Sequence, residues 1–446
     1  MNKILKYFFN LLLIFSFIFF LFIYYRAEIY WNGGKTNYYL YYYIFSVLLL
    51  IISLLSYFIS NELKKYLMII LISSFFSLFI FEYYLVFLNK NITNTLKYEI
   101  YKKETGLEFD KRSRMQIYKD LKKKDKNIKV KVSPARFYGQ DNKIFPLSGV
   151  SFSNTIYCNE NGYYSIYQSD RYGFNNPDEE WNKKKIDFLL IGDSFVHGAC
   201  VNRPNDIGSV LRKLSNSAVL NLGYSSNGPL IELATLKEYL DKRVKNVIWF
   251  FVEGNDLDNL KDNLSNKILK NYYSNNSFKQ NLKDKQEKID LLVNSMINNS
   301  EIEYEKRNNK KKNILNKKLI SFIKLSKTRN LLRNQRKQNY ALVEFENIIE
   351  NVITITKKNN SNFYFVYLPD YSRYKNKTNY PFYKNIKNMI NRKNIKFIDI
   401  HEQFFLKQNN PLDYFPFGEH GHYNQDGYRE ITKVIFKSIK SDNLNE

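Results

Sequence analysis

The chain has few of the residues that build metal centres and disulfide-rich scaffolds: two cysteines and four histidines among 446 residues. It contains no Cys-x-x-Cys pair, so a cysteine-rich zinc site is not expected. We predict neither a metal nor a cofactor. Two alternatives are open for Cys158 and Cys200. They form a disulfide bond, which an oxidising compartment would permit, or they remain two buried free thiols.

Acidic residues are also scarce, with 43 Asp and Glu against 68 Lys and Arg and a net charge of +25. Such a balance can mark proteins that bind nucleic acid or anionic membranes. No nucleic-acid recognition motif accompanies the basic residues, and the densest runs, at residues 122–124 and 310–312, lie in polar stretches typical of a solvated face. We therefore expect no nucleic-acid partner. An acidic surface polysaccharide or an anionic lipid is the alternative use of this charge.

Charged residues are almost absent from three stretches near the N-terminus, residues 7–25, 38–59 and 66–88, where Glu82 is the only one. Each stretch approaches or exceeds the roughly 20 residues that a helix needs to cross a bilayer. No small-x-small cleavage site follows the first stretch, which argues against a signal peptide. The pattern predicts a three-helix transmembrane anchor over residues 1–90.

The basic residues that flank these stretches bear on orientation. Four lysines would lie on one side of the membrane and two basic residues on the other: Lys3, Lys6, Lys64 and Lys65 against Arg26 and Lys35. This favours a cytoplasmic N-terminus. The lysines at positions 90, 97, 102 and 103 favour the opposite orientation, but charges that precede a long translocated domain count for less. We predict a multi-pass protein of the cytoplasmic (inner) membrane whose remaining residues lie outside the cytoplasm.

Residues 91–183 are predicted to be a connector. Much of the connector is dense in Gly, Asn, Pro and Asp, yet its many aromatic residues argue against disorder. We expect it to pack on the domain that follows, at residues 184–446.

That domain alternates apolar runs with helical patterns, which indicates an α/β sandwich with a parallel sheet. The predicted strands are residues 186–191, 218–222, 246–252, 363–368 and 396–400, and the predicted helices are residues 230–240, 342–355, 382–390 and 428–439. A polar stretch at about 257–338 interrupts the alternation. It forms either a lid or partner surface, or a solvated helical hairpin.

Four polar or small residues stand where strands end or the last helix begins: Ser194, Gly223, Asn255 and His422. Taken singly, each has an ordinary interpretation as a helix cap, a turn glycine or a surface histidine. Because carboxyl ends of parallel strands meet at one edge of a sheet, the four can also converge. Together they supply what acyl transfer needs: a nucleophile, a base and donors for an oxyanion.

These residues resemble the SGNH (GDSL) hydrolase superfamily. The resemblance covers residues 184 to about 440 without the insertion, and its blocks are Gly192-Asp193-Ser194, Gly223, Gly254-Asn255-Asp256 and the late His422-x-Asn424-x-x-Gly427. It implies a three-layer α/β/α fold with Ser194 as nucleophile and His422 as base. It also implies an oxyanion hole made of the backbone N–H groups of Ser194 and Gly223 and the amide of Asn255.

One position departs from the family pattern. The family has Asp three residues before the histidine, and this chain has Glu419 there. We predict Glu419 as the third catalytic residue, with Asp413 or a simple Ser–His pair as alternatives. His420 competes with His422 for the role of base. Asp193 is interpreted as a structural residue that shapes the turn.

The arrangement as a whole is similar to membrane-anchored bacterial SGNH proteins, some of which edit acyl groups on cell-surface polysaccharides. We therefore predict a serine esterase or O-acyltransferase that acts on acyl (acetyl) esters of cell-surface glycans or on small esters, with polysaccharide assembly machinery as a partner. The alternatives are a catalytically silent polysaccharide-binding or assembly protein, and a lysophospholipase or thioesterase.

Overall fold

The structure, a computed structural model, describes residues 2–30, 36–88, 91–140, 142–309, 314–334, 341–419 and 421–443. Lys35, Lys90, the basic run at 310–312 and His420 therefore lie outside the described residues. The chain divides into two compact units. The anchor unit comprises Met1–Asn91 and Lys312–Arg336, and the α/β unit comprises Ile92–Lys311 and Lys337–Glu446.

The elements are numbered here in chain order. The α-helices are α1 (Asn2–Tyr24), α2 (Thr36–Leu55), α3 (Asn61–Tyr83), α4 (Asn91–Thr105), α5 (Arg114–Lys122), α6 (Ser194–His197), α7 (Ile207–Ser215), α8 (Pro229–Tyr239), α9 (Asp256–Leu264), α10 (Lys267–Ser274), α11 (Gln286–Asn309), α12 (Ile314–Ile323), α13 (Ser326–Asn334), α14 (Leu342–Lys358), α15 (Tyr371–Lys375), α16 (Tyr383–Arg392), α17 (Ile400–Gln403) and α18 (Gln425–Asn443). The strands are β1 (Ile128–Val130), β2 (Asn154–Ile156), β3 (Ile166–Gln168), β4 (Ile186–Ile191), β5 (Val219–Asn221), β6 (Val244–Val252), β7 (Asn362–Leu368) and β8 (Lys396–Asp399).

The anchor unit contains three helical stretches long and apolar enough to cross a membrane, Lys3–Tyr30, Tyr38–Leu55 and Asn61–Val86. They fall on the three predicted runs, which confirms the prediction of three membrane-length helices. Their side chains are largely exposed in the chain itself, as expected where lipid rather than protein covers an apolar surface.

Two helices of the predicted insertion, α12 and α13, belong to this anchor unit. The buried Glu82 carboxylate on α3 accepts hydrogen bonds from the backbone N–H groups of Lys327 and Thr328, at 2.9 and 2.8 Å, and from the Thr328 hydroxyl at 2.8 Å. Because the first N–H groups of a helix have no intrahelical acceptor, Glu82 caps α13. The insertion is thus divided, with α9, α10 and α11 in the α/β unit.

The sheet of the α/β unit has the strand order β5-β4-β6-β7-β8, and every neighbouring pair is parallel. Each strand lies within two residues of its predicted bounds. Val, Ile, Leu and aromatic residues form continuous runs in these strands because both faces are covered.

The two faces of the sheet carry separate cores. Leu189 and Trp249 pack in one core with residues of α8, α14 and α16, whereas Leu190 and Phe250 pack in the other with residues of α7 and α18. Alternate side chains of one strand therefore point to opposite helical layers. The predicted three-layer α/β/α architecture with a parallel sheet is confirmed.

The order of the strands in the sheet reverses direction at β4. From β4 the chain goes to β5 on one side, and β6 then pairs with the other side of β4. Ligands of open α/β sheets bind at such a reversal, outside the carboxyl ends of the strands. The segments that leave β4 and β6 carry Ser194 and Asn255, so the topology places both at the carboxyl ends of these neighbouring strands.

The predicted connector contributes a sheet of its own to the α/β unit. In it β1 pairs with β2 in parallel, and β2 pairs with β3 in an antiparallel hairpin. The turn of this hairpin spans the segment between Ile156 and Ile166 and includes Cys158 and Glu160.

Candidate active site

Ser194 stands at the start of the short helix α6, directly after the turn that ends β4. The Asp193 side chain caps that helix by accepting a hydrogen bond from the Phe195 N–H at 2.9 Å. A Cβ on Gly192 would lie 2.5 Å from a methyl group of Val196, so glycine is needed for the turn to close. The sequence interpretation of Asp193 as a structural residue agrees with this contact. Ser194 retains 8% of its surface exposed.

His422 meets Ser194 from the loop that precedes α18. Its Nε2 lies 2.8 Å from Ser194 Oγ, and its ring packs on Phe195 with a centroid distance of 4.8 Å. The Asn424 side chain accepts a hydrogen bond from the Gly427 N–H at 2.8 Å and so caps α18. The His-x-Asn-x-x-Gly spacing therefore has a local cause. Asn424 and Gly427 form the cap that starts α18, and His422 lies in the loop just before that cap.

The carboxylate beside the other ring nitrogen belongs to Glu160. Both Glu160 carboxylate oxygens lie 3.1 Å from His422 Nδ1, and Oε2 also accepts the His422 backbone N–H at 2.6 Å. This corrects the predicted arrangement, in which Glu419 stood at Nδ1. Asp413, the alternative, accepts a hydrogen bond from the Asn410 amide at 2.6 Å.

Glu160 reaches the site because its hairpin is tied to the loop behind the nucleophile. Cys158 and Cys200 form a disulfide bond, which settles the alternative left open by the sequence. The Asn161 side chain donates to the Cys200 carbonyl at 3.0 Å. Residues on both sides of Glu160 are thus fixed to the segment that follows α6.

Gly421 lies against the Glu160 carboxylate and leaves room for it because it has no side chain. It has φ of +118°, a region that side chains rarely adopt, and a Cβ there would lie 2.2 Å from Glu160 Oε2. Only glycine satisfies both the backbone conformation and the close approach. The glycine between the two histidine positions of the sequence therefore serves the contact between Glu160 and His422.

The contacts define the tautomer and the charge of His422. With Nδ1 protonated and donating to Glu160, Nε2 is left to accept the Ser194 hydroxyl proton. Burial alone would lower the pKa of His422, but Glu160, with a smaller contribution from Asp193, outweighs burial and raises that pKa above its ordinary value of 6.5. The imidazole is therefore a stronger base than a free histidine side chain.

Two of the three predicted oxyanion donors lie beside the nucleophile. Asn255 precedes α9 but its side chain does not cap that helix; instead its amide donates to Asp193 Oδ2 at 3.0 Å, the same oxygen that lies 3.3 Å from Ser194 Oγ. The Ser194 N–H heads α6 and has no intrahelical acceptor. The structure thus brings the Asn255 amide and the Ser194 N–H next to the nucleophile, beside the Asp193 carboxylate.

The third predicted donor, Gly223, is engaged elsewhere. Its N–H donates to the Asn221 side chain at 2.9 Å, and this corrects its predicted geometry. A Cβ at Gly223 would lie 2.6 Å from Val196 Cβ and 2.7 Å from the His197 nitrogen. The structure therefore gives this glycine a packing reason, the close approach of the β5 end to α6.

One group of possible metal ligands coincides with the site. Glu160, Cys200 and His422 each present a ligand atom, and the three atoms lie within 4.8 Å of one another. The Cys200 sulfur is bonded to Cys158, and a disulfide sulfur is not the thiolate that binds metal. With the bridge intact, this group is better explained by the contact of Glu160 with His422.

Comparison with known proteins adds the following. No family model matches the chain, and no curated protein sequence matches it. Among solved structures, a Desulfitobacterium hafniense protein assigned to the G-D-S-L lipolytic family matches over 57% of this chain and 99% of its own, at 16% identity and a TM-score of 0.33. The protein YxiM of Bacillus subtilis matches over 58% of this chain and 57% of its own, at 11% identity and a TM-score of 0.33.

Proposed function

We propose that the protein is a membrane-anchored serine ester hydrolase or O-acyltransferase of the SGNH type, with Ser194 as nucleophile, His422 as base and Glu160 as the residue that orients the base. One observation carries the proposal: a continuous hydrogen-bonded series from Ser194 Oγ through the His422 ring to the Glu160 carboxylate. A serine that only caps a helix has no need of a histidine oriented in this way.

The proposed reaction has two stages. Ser194 Oγ attacks the ester carbonyl carbon while its proton passes to His422 Nε2, and the carbonyl oxygen becomes an oxyanion. The Asn255 amide and the Ser194 N–H donate to that oxygen. The C–O bond to the alcohol then breaks, the alcohol takes the proton from Nε2, and an acyl-serine remains. Water, or a sugar hydroxyl in the transferase case, then attacks the acyl carbon while its proton passes to His422 Nε2. The bond between the acyl carbon and Ser194 Oγ breaks, Oγ takes the proton from Nε2, and the carboxylic acid or the new sugar ester leaves.

The proposed substrate is an acyl (acetyl) ester of a cell-surface glycan, reached from the extracytoplasmic side of the cytoplasmic membrane. The disulfide between Cys158 and Cys200 supports this side, because such bonds persist in oxidising compartments. The three membrane-length helices support an anchor next to the cell surface. Polysaccharide assembly machinery is the proposed partner on the same grounds.

The test uses the full-length protein in detergent. We expect a fluorophosphonate probe to label wild type on Ser194, and expect wild type to hydrolyse 4-nitrophenyl acetate. Ser194→Ala should lose both, whereas Ser217→Ala, a serine in the loop before β5, should keep both. Absence of both labelling and hydrolysis in folded wild type would contradict the proposal and favour a catalytically silent binding protein.

A second set of substrates separates the esterase classes. Release of acetate from an acetylated glycan, with little release of fatty acid from lysophospholipid or of thiol from acyl thioesters, is the expected pattern. The reverse pattern would replace the glycan ester with a lipid or thioester substrate and leave the catalytic assignment unchanged.

A further inference from the structure

A cavity of about 440 Å³ lies between the connector and helix α11 of the α/β unit. Its walls come from the start of α5, from β1 and the residues after it, and from one face of α11. The volume falls within the roughly 300–1,000 Å³ of pockets that hold small-molecule ligands. A single inorganic phosphate would occupy only a small part of it.

One residue that lines this cavity is a buried lysine, Lys131. Lys131 is 7% exposed, and its ammonium group donates to the Ser133 and Ser225 hydroxyls at 2.9 and 2.8 Å and lies 5.2 Å from the centre of the Tyr157 ring. Burial lowers the pKa of Lys131 to about 7. A buried cation is costly unless an anion compensates it.

Further positive charge lines the same walls. Arg114 and Arg136 both face the cavity, and the Arg114 guanidinium donates to the Tyr157 carbonyl at 3.3 Å. Among the described residues, no ion pair joins Lys131, Arg114 or Arg136 to a carboxylate. The acid in the lining, Glu303, is paired with Arg307 at 3.1 Å.

The remaining lining is both apolar and hydroxylated. Met115, Val132 and Ile297 supply apolar surface, and Ser300 and Tyr304 supply hydroxyl groups. Sugar rings have this double character, with C–H faces and hydroxyl edges, whereas a bare oxyanion needs only the cations. The chemistry of the whole cavity therefore fits a saccharide that carries a negative charge.

The cavity is linked to the proposed catalytic centre by direct contacts. Ser225, which binds Lys131, follows Gly223 by two residues in the loop that leaves β5. Tyr157, under the Lys131 ammonium group, adjoins Cys158 and stacks on His197 of α6 with a centroid distance of 4.5 Å.

We propose that this cavity binds a carboxylate-bearing sugar unit of an acidic glycan, with Arg114, Lys131 and Arg136 as the cations that recognise the carboxylate. The description of that glycan as the substrate rests on the proposed function, whereas the binding of the acidic sugar does not. A uronic acid residue next to the esterified sugar would then select acidic polysaccharides for reaction at Ser194.

The test measures binding of digalacturonate to the full-length protein in detergent, with neutral lactose and inorganic phosphate as the other probes. Digalacturonate should bind more tightly than either. Arg114→Gln and Arg136→Gln should each weaken it about tenfold, the usual effect of losing one charge-assisted hydrogen bond. Lys129→Gln is the matched control, because Lys129 lies on the same strand as Val130 but does not line the cavity. Lys131→Met repeats the binding measurement at the buried position. If the Lys131→Met protein does not fold, Arg136→Gln still tests the inference.

The outcomes separate this inference from the proposed function. Ser194→Ala should lose hydrolysis and still bind digalacturonate with wild-type affinity. Equal binding of lactose, tighter binding of phosphate alone, or binding of digalacturonate that Arg114→Gln and Arg136→Gln leave unchanged would each overturn the inference. Arginine-dependent binding by a protein that hydrolyses no ester would support the sugar site and contradict the catalytic proposal.

Discussion

Glu160 binds His422 at two points, accepting its backbone N–H at 2.6 Å and its Nδ1 at 3.1 Å. The carboxylate thereby fixes both the position of the residue and the orientation of its ring. Glu160 lies in the connector, upstream of all five strands of the parallel sheet. The connector is therefore part of the proposed active site rather than a spacer between the anchor and the α/β domain.

Glu160→Gln should lower kcat/KM by roughly 10²–10⁴-fold, because an amide no longer selects the Nδ1-protonated tautomer. The pH profile gives a second, independent readout. His422 must be neutral to act as base, so activity is present above its pKa and is lost as pH falls through it. Since that pKa is raised above 6.5 in wild type, the acid limb should lie above pH 6.5.

Without the Glu160 charge, burial dominates and the acid limb of the Glu160→Gln profile should move to lower pH. Glu419→Gln is the matched control, with kcat/KM and profile expected near wild type. A large loss in Glu419→Gln with little change in Glu160→Gln would restore the arrangement predicted from sequence.

Gly421→Ala should reproduce the defect of Glu160→Gln without changing the Glu160 side chain. The added Cβ would lie 2.2 Å from Glu160 Oε2, so the carboxylate must leave Nδ1. Gly418→Ala is the control: Gly418 also has positive φ, but a Cβ there meets nothing closer than 3.8 Å. Steady-state kinetics with circular dichroism on both variants would show whether the loss is specific to position 421 in a folded protein. Equal defects in the two variants would contradict this explanation.

The strands and the Ser194–His422 pair could be predicted because their causes are local in the sequence. Continuous apolar runs mark strands covered on both faces, and Asp193 and Asn424 cap the helices that present the two side chains. The Asn221–Gly223 contact is also local, an Asn side chain that takes a backbone N–H two residues on. That spacing is visible in the sequence and could have warned against Gly223 as a free donor.

Glu160 could not be predicted in this way. It meets His422 across 262 positions of the chain, and a glutamate in a polar turn carries no periodic or spacing signal. The one indirect signal was Cys158, two residues before it, whose partner Cys200 lies six residues after Ser194. A disulfide between them brings the Glu160 turn to the nucleophile, but only the folded structure identifies which carboxylate arrives there.

Removal of the disulfide should weaken both folding and catalysis. The bond joins residues 42 positions apart, a separation for which the chain-entropy model gives a contribution of about 4 kcal/mol to the free energy of unfolding. Cys158→Ser/Cys200→Ser should therefore unfold at lower denaturant concentration. It should also lose activity under conditions where it remains folded, because the Glu160 turn is no longer held against α6.

Treatment of wild type with a reductant should produce the same loss, and the double serine variant should not respond to it. That second comparison distinguishes reduction of this bond from other effects of the reagent. Equal activity of oxidised and fully reduced wild type, with reduction verified by thiol titration, would show that the other contacts of the hairpin suffice to hold Glu160.

Asn255→Ala should lower kcat by roughly 10²–10³-fold with little change in KM, the signature of a donor that acts mainly in the transition state. The argument rests on where its amide points. Asn255 occupies the position before α9 at which asparagine normally caps a helix, yet its side chain turns to Asp193 beside Ser194.

Asn259→Ala, on the same helix, is the matched control, because its amide binds the Asn227 carbonyl instead. Since the Gly223 N–H is already engaged, loss of Asn255 leaves the Ser194 N–H as the remaining predicted donor. A kcat in Asn255→Ala within threefold of the control would mean that another group holds the oxyanion.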